Sequence, residues 1–176
     1  MRIIGGEWRS RLIAFPDAED LRPTPDRVRV TLFNWLGQTL HGKTCLDLFA
    51  GSGALGFEAL SRGAERVVMV ESARLAIDAL KRNAEVLHAE RLEIVSRDAP
   101  SFLAATRERF DVIFLDPPYR ADLFPGLFPL LPDRLQPGGT VYFEIDRLAA
   151  APPGWKIIKQ SRAGTVRFQL VQWLGQ

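Results

Sequence analysis

Five short apolar runs recur along the chain with helical stretches between them, and no other feature limits the possible fold so much. They are TCLDLF (44–49), RVVMVE (66–71), RLEIVS (91–96), DVIFLD (111–116) and TVYFEI (140–145). Each is rich in Val, Ile, Leu and Phe and nearly continuous, the pattern of strands in a parallel sheet covered on both faces. Over 73–88, Ile77, Leu80, Ala84 and Leu87 recur at spacings of three and four, while Lys81, Arg82 and Glu85 take the other face, as an amphipathic helix requires. This β-α-β-α alternation predicts a doubly wound α/β fold.

The two ends add to that plan. The closing WKIIKQSRAGTVRFQLVQWLGQ reads as two strands joined at Arg162–Thr165, with Ala163-Gly164 in the turn. Val166, Phe168 and Leu170 alternate there with Arg167 and Gln169, so an antiparallel hairpin closes a mostly parallel, seven-stranded sheet. The first sixteen residues read as a small β-hairpin around Gly5-Gly6. RPTPDRVRVTLFNWLGQTL then supplies a helix: Thr24 can cap it, Pro25 suits its first turn, and Val28, Leu32, Trp35, Leu36 and Leu40 form an apolar stripe. Without repeat, linker or low-complexity tract, the 176 residues read as a single domain, with 1–43 as an N-terminal extension and 44–176 as the core.

With 47% apolar and 25% charged residues the chain is globular in composition. No apolar run reaches membrane length, since LFPGLFPLLP is broken by Pro125, Pro129 and Pro132, and the apolar part of MRIIGGEWRSR is too short for a secretory signal. The single cysteine, Cys45, excludes an intrachain disulfide framework and fits a reducing compartment; inside TCLDLF it reads as a small buried hydrophobe. One cysteine and two histidines, His41 and His88, without an H-x-x-x-H spacing, point away from a transition metal. The expectation is a cytoplasmic monomer. A formal charge of +2 and a pI of about 9.0 are mildly basic and only weakly favour a nucleic-acid partner.

The first predicted strand runs into LDLFAGSGALG (46–56), in which Gly51, Gly53 and Gly56 spell the G-x-G-x-x-G of dinucleotide sites. Such a turn lets a ligand approach the backbone and presents N–H groups to it. Asp47 turns the interpretation from NAD. A carboxylate there would repel a pyrophosphate but favour an ammonium or a sulfonium, though it can also bond loop N–H groups. Glu71 ends the second strand twenty residues after Gly51 and suits the two hydroxyls of a ribose, which either ligand carries. Asp98, in SRDAPSF, or the N–H of Ala99 can read an adenine edge; Asp98 serves equally as a helix cap before Pro100.

The fourth strand ends in Asp116-Pro117-Pro118-Tyr119, at the carboxyl end where α/β sheets hold ligands. An exocyclic ring amine is a poor nucleophile, because its lone pair is conjugated into the ring. Acceptors on its two N–H bonds turn that lone pair toward an electrophilic methyl. Asp116 supplies one acceptor and the Pro117 carbonyl another. Two consecutive prolines fix the turn and remove donors from it. Tyr119 offers a stacking face worth roughly 1–3 kcal/mol to a base, comparable with the few kcal/mol needed to flip one out of its stack. Together with Asp47, this turn assigns the glycine loop to S-adenosylmethionine. Arg2, Arg9 and Arg11 with Trp8 form a small basic and aromatic patch suited to phosphate contact and stacking, and Arg120 lies directly after the turn.

At these residues the chain resembles class I methyltransferases of the amino-methylating type, with their Rossmann-like fold. RIIGGEWRSR, RPTPDRVRVTLFNWL, LDLFAGSGALGFEALSRGA, FDVIFLDPPY and RAGTVRFQLVQW together resemble the bacterial 16S ribosomal RNA guanine-N2 methyltransferases of the RsmD family, over nearly the whole chain. The resemblance implies methylation of one guanine N2 near the P site, in an assembled or nearly assembled small subunit. It implies that Asp47 and the loop Phe49-Ala50-Gly51-Ser52-Gly53 hold the methionine half and ribose flank of the cofactor. By the same resemblance Glu71 with Ser72 holds the ribose, and Asp98 with Ala99 the adenine. Asp116 to Tyr119 would hold the guanine, and Arg22 and Thr24 would lie over the methionine end. Pro25 stands where a second Thr is common in that family, and Ser10 where a Gly is common. Rival readings are an adenine-N6 or protein-amide methyltransferase, an NAD(P) oxidoreductase, and a non-catalytic RNA-binding module.

Overall fold

The computed structural model describes residues 1–15, 24–117, 123–145 and 151–175. Its sheet has seven strands: β1 (Thr44–Asp47), β2 (Arg66–Glu71), β3 (Leu92–Ser96), β4 (Phe110–Leu115), β5 (Leu135–Ile145), β6 (Trp155–Ala163) and β7 (Val166–Trp173). Their spatial order is β3-β2-β1-β4-β5-β7-β6. The five from β3 to β5 run parallel; β7 pairs antiparallel with β5, and β6 with β7. The chain winds outward from β1 to β3, then restarts on the other side of β1 with β4. The carboxyl ends of β1 and β4 therefore flank the switch point at which such sheets open a ligand crevice.

Alternation along the strands divides the core in two. On one face Cys45, Met69, Phe114, Tyr142 and Phe168 pack with α1 (Asp26–Trp35), α2 (Ala54–Ser61) and α3 (Arg74–Leu87). On the other, Leu46, Val68, Ile113 and Val141 pack with α4 (Ala99–Ala105) and the helical turns of 124–134. The face of α3 predicted to be apolar is the buried one, including Ile77, Leu80 and Leu87. Cys45 is free and fully buried, and burial pushes its thiol pKa up. No helix among the described residues is long and apolar enough to cross a membrane.

Several local expectations change. The terminal hairpin turns one residue later than predicted, with Ala163 still paired to Val166 and Gly164 at φ +62°. The N-terminal hairpin has a single antiparallel bridge, Arg2 to Leu12, supported by the bonds from Ile3 N–H to Arg11 and from Ser10 N–H to Ile3. Ser10 takes φ +71°, the left-handed conformation that favours glycine, so the serine sits in a glycine's conformation. Thr24 does not cap α1; Pro25 takes the cap position without a side-chain bond.

The N-terminal segment is tied down by one buried cluster. Glu58 on α2 accepts hydrogen bonds from the N–H groups of Ile4 and Gly5 at 2.9 and 2.8 Å, from Arg29 at 3.2 Å and from Arg62 at 2.8 Å. Arg29, on α1, also donates to the Arg2 carbonyl at 2.9 Å and pairs with Asp26. The side chains of Arg29 and Glu58 are both 0% exposed. Gly6 lies so close to α2 that an added Cβ would sit 1.8 Å from the Ser61 carbonyl oxygen. Glu58→Ala removes the buried carboxylate partner of Arg29, leaving it the exposed Asp26, and should lower the unfolding free energy by about 3 kcal/mol. Urea denaturation measures this; a loss below about 1 kcal/mol would mean that the cluster does not hold the segment.

Candidate active site

Three carboxylates end three neighbouring strands on the same face of the sheet. Asp47 closes β1, Asp116 follows β4, and Glu144 lies near the end of β5. The register pairs Asp47 with Phe114 and Leu115 with Phe143, so Asp116 and Glu144 emerge side by side. Each lies two residues beyond a side chain of the same core, Cys45, Phe114 and Tyr142 respectively, which places all three on one side.

Each carboxylate has local partners, none of them cationic among the described residues. Asp47 is 2% exposed and accepts from the Gly56 N–H at 3.1 Å and from the N–H of Phe49. Asp116 is half-buried and accepts from the Thr24 hydroxyl at 3.1 Å. Glu144, also half-buried, accepts from the Tyr142 hydroxyl at 2.7 Å. Burial pushes Asp47 up to about 7, helped by the nearby Asp116 and Glu71 and opposed by its N–H partners. Asp116 is pushed up to about 6 by burial, against the Thr24 hydrogen bond. Glu144 is pushed up to about 8 by burial and then by Asp116, against the Tyr142 hydroxyl. Buried like charges of this kind favour a cation between them.

Between β1 and α2 the glycine loop turns beside this cluster. Gly53 holds φ +79° at the start of α2, and a Cβ there would meet Phe57 and Leu80 at 2.6 and 2.7 Å. Ala50 and Ser52 are buried, and the Ala50 N–H bonds the Val70 carbonyl. Glu71 accepts from the Gly51 N–H at 2.8 Å and, through its other oxygen, from the N–H groups of Ser72 and Ala73 at 2.8 Å. Beside the loop lies a cavity of about 250 Å³ with apolar walls from Leu48, Phe49, Val70, Ala99, Pro100 and Leu123, and with Glu71, Ser72, Arg97 and Asp98 completing its lining. An apolar slot ending on a carboxylate suits a nucleoside, with the ring between the walls and the ribose hydroxyls on Glu71.

Asp98 also borders the slot, but its Oδ1 caps α4 by accepting from the Ser101 N–H at 2.9 Å, which holds its carboxyl below the usual range. Arg2, Arg9 and Arg11 are exposed. Trp8 is 5% exposed, its N–H bonded to Ser61, so the expected stacking role of this ring is corrected to core packing. The patch is reduced to its arginines. Arg22, Pro118, Tyr119 and Arg120 lie outside the described residues. The sequence reading missed Tyr142 and Glu144, which it treated only as part of a buried strand. A glutamate closing an apolar strand beside one that ends in aspartate was the available signal. A wider cavity of about 720 Å³, lined by Gly5, Arg9, Asn34, His41 and Arg62, lies at the far end of α2 from the loop.

The raised Asp47 carboxyl has a measurable consequence. Between about pH 4 and 7 the folded protein holds a proton there that the unfolded chain releases, so stability contributed at low pH is lost as pH rises. Asp47→Asn should flatten the fall in the urea midpoint of the free protein over this interval. An unchanged pH dependence would remove Asp47 as its source.

The chain matches the family described as conserved hypothetical protein 95 over residues 1–172. It is 40% identical to the ribosomal RNA small subunit methyltransferase D of Haemophilus influenzae, over 98% of this chain and 93% of that one. It is 41% identical to the protein of the same name from Escherichia coli K12, over 98% and 89%. The solved structure of the Escherichia coli protein yhhF matches with a TM-score of 0.89 and 41% identity, over 100% of this chain and 99% of that one. With the carboxylate cluster and nucleoside-sized slot at the switch point of a Rossmann-like sheet, the chain belongs to this family of methyltransferases.

Proposed function

We propose that the protein transfers the methyl group of S-adenosylmethionine to the exocyclic N2 amine of one guanine in 16S rRNA, within the small ribosomal subunit. The observation that carries this reading is the adjacency of a cation-seeking cluster, Asp47, Asp116 and Glu144, to an apolar slot that ends on Glu71. S-Adenosylmethionine is a nucleoside joined to a sulfonium and an ammonium, and it combines the two chemistries that the adjoining sites favour. The names of the relatives support rRNA as the substrate.

When bound, the cofactor supplies an electrophilic methyl group. Glu71 and Ser72 take its ribose, the walls beside Ala99 its adenine, and Asp47 with the loop 49–53 its methionine end, over which Arg22 and Thr24 close. Asp116 and the Pro117 carbonyl accept the two N–H bonds of the guanine amine and aim its lone pair. Pro118 keeps the turn rigid and Tyr119 stacks on the flipped base. Positioning of this kind supplies up to about 7–11 kcal/mol. Arg2, Arg9, Arg11 and Arg120 meet phosphates, a set too small to hold RNA tightly alone, so the assembled subunit contributes to recognition. We read the chain as a cytoplasmic monomer in which extension 1–43 and core 44–176 act as one unit.

Tritium-labelled S-adenosylmethionine offered with unmodified small subunits, naked 16S rRNA and DNA tests this assignment. Label in N2-methylguanosine from the subunits is expected; label in methyladenine or in DNA would overturn the substrate. Asp116→Ala should lose at least about 100-fold in rate while keeping its fold. Glu71→Ala should weaken cofactor binding about tenfold or more by calorimetry, and unchanged affinity would remove the ribose assignment.

A further inference from the structure

The methyl-transfer reading uses Asp116 as an acceptor but uses its neighbour Glu144 only as one charge of the cluster. Parallel pairing of β4 and β5 sets the two carboxyls side by side, and each is held from behind by a single hydroxyl, Thr24 on Asp116 and Tyr142 on Glu144. Tyr142 is itself immobile: fully buried, with its ring packed against Phe114 and Phe168. Only Oε1 of Glu144 is engaged by this hydroxyl. Around the pair, Asp116 also acts on Asp47 of β1, and the residue opposite Glu144 on β7 is the apolar Phe168. Among the described residues no cation pairs with either carboxyl. Two ionised carboxyls placed on neighbouring strands in this way repel one another, which makes the ionised pair a stronger base than one aspartate.

We propose that Glu144 is a positioning residue for the transfer, whose carboxyl, set beside Asp116 by the strand register and fixed by Tyr142, makes Asp116 basic enough to take the proton that the amine gives up. This role rests on the methyl-transfer reading. The nitrogen lone pair forms the new nitrogen–carbon bond as the carbon–sulfur bond breaks with its electrons returning to sulfur. One N–H electron pair stays on nitrogen, its proton passes to Asp116, and the product is a neutral secondary amine. The proton then leaves the pair to water. Burial raises the Asp116 carboxyl, and burial together with the neighbouring Asp116 raises that of Glu144, as expected of two close carboxyls.

The test is the pH profile of single-turnover methylation of unmodified small subunits at saturating cofactor. Glu144→Gln removes the second carboxyl at nearly constant volume. Its acid limb should move to lower pH by about one unit or more, and its plateau rate should fall by about tenfold or more. Saturating cofactor keeps any loss of cofactor affinity out of both readings. Glu144→Asp restores a carboxyl and should bring the limb back toward its wild-type position. A lowered rate with an unmoved limb would reduce Glu144 to a structural part and overturn the role. Absence of transfer by the wild type would overturn the function together with it. A readout without turnover is the carbon-13 titration of the Asp116 and Glu144 carboxyls in the free wild-type protein. Two linked steps seen by both groups support the pair; independent single steps overturn it, whether or not the variant folds.

Discussion

Much of this structure hangs on the buried carboxylate of Glu58. It accepts two hairpin N–H groups and two guanidinium groups, and so joins the N-terminal segment, α1 and α2 at one point. A buried ion pair gains little over an apolar pair, but one broken partner leaves an uncompensated charge, so such a cluster specifies an arrangement more than it adds stability. Here the arrangement matters to the site. The helix that carries Glu58 starts at the glycine loop, and the helix that carries Arg29 begins just after Thr24, whose hydroxyl touches Asp116. One buried cluster thus fixes the loop and the active-site roof relative to each other.

The site follows the opposite rule. Asp47, Asp116 and Glu144 are brought together without a cation among the described residues, and all three are pushed toward their protonated forms. Raised carboxyl groups in a cleft mark a place where folding energy is held against a ligand to come. A positively charged ligand relieves the repulsion. In the proposed reaction, methyl transfer removes that charge from sulfur and delivers a proton to the same carboxyls. A single electrostatic arrangement therefore favours the charged reactant and accepts the proton of the product.

The parts of the site that were legible in the sequence are those encoded within a few residues. The glycine loop, Asp47 before it, Glu71 at a strand end and Asp116 just beyond β4 are placed by local spacing, because strand, turn and helix start are local geometries. Contacts that join distant segments were not legible. Thr24 looks like a helix cap from its neighbours, yet it reaches Asp116 across 92 residues. Trp8 beside three arginines looks like a stacking ring, yet the Glu58 cluster holds its segment so close to α2 that the ring is buried. Asp98 offered two readings, and its Oδ1 does cap α4 through the Ser101 N–H, a contact made within three residues.

The sequence by itself determined the alternation of strands and helices, the terminal hairpin within one residue, and the ends of the strands at which chemistry takes place. Periodicity and turn chemistry act over short spans, and a chain cannot escape them. Only the tertiary structure decided that Glu144 stands beside Asp116, that Tyr142 and Thr24 hold these two carboxyls, and that Glu58 and Arg29 anchor the extension. Those facts depend on strand order and register, which are set by the packing of residues far apart along the chain and leave no mark in local spacing.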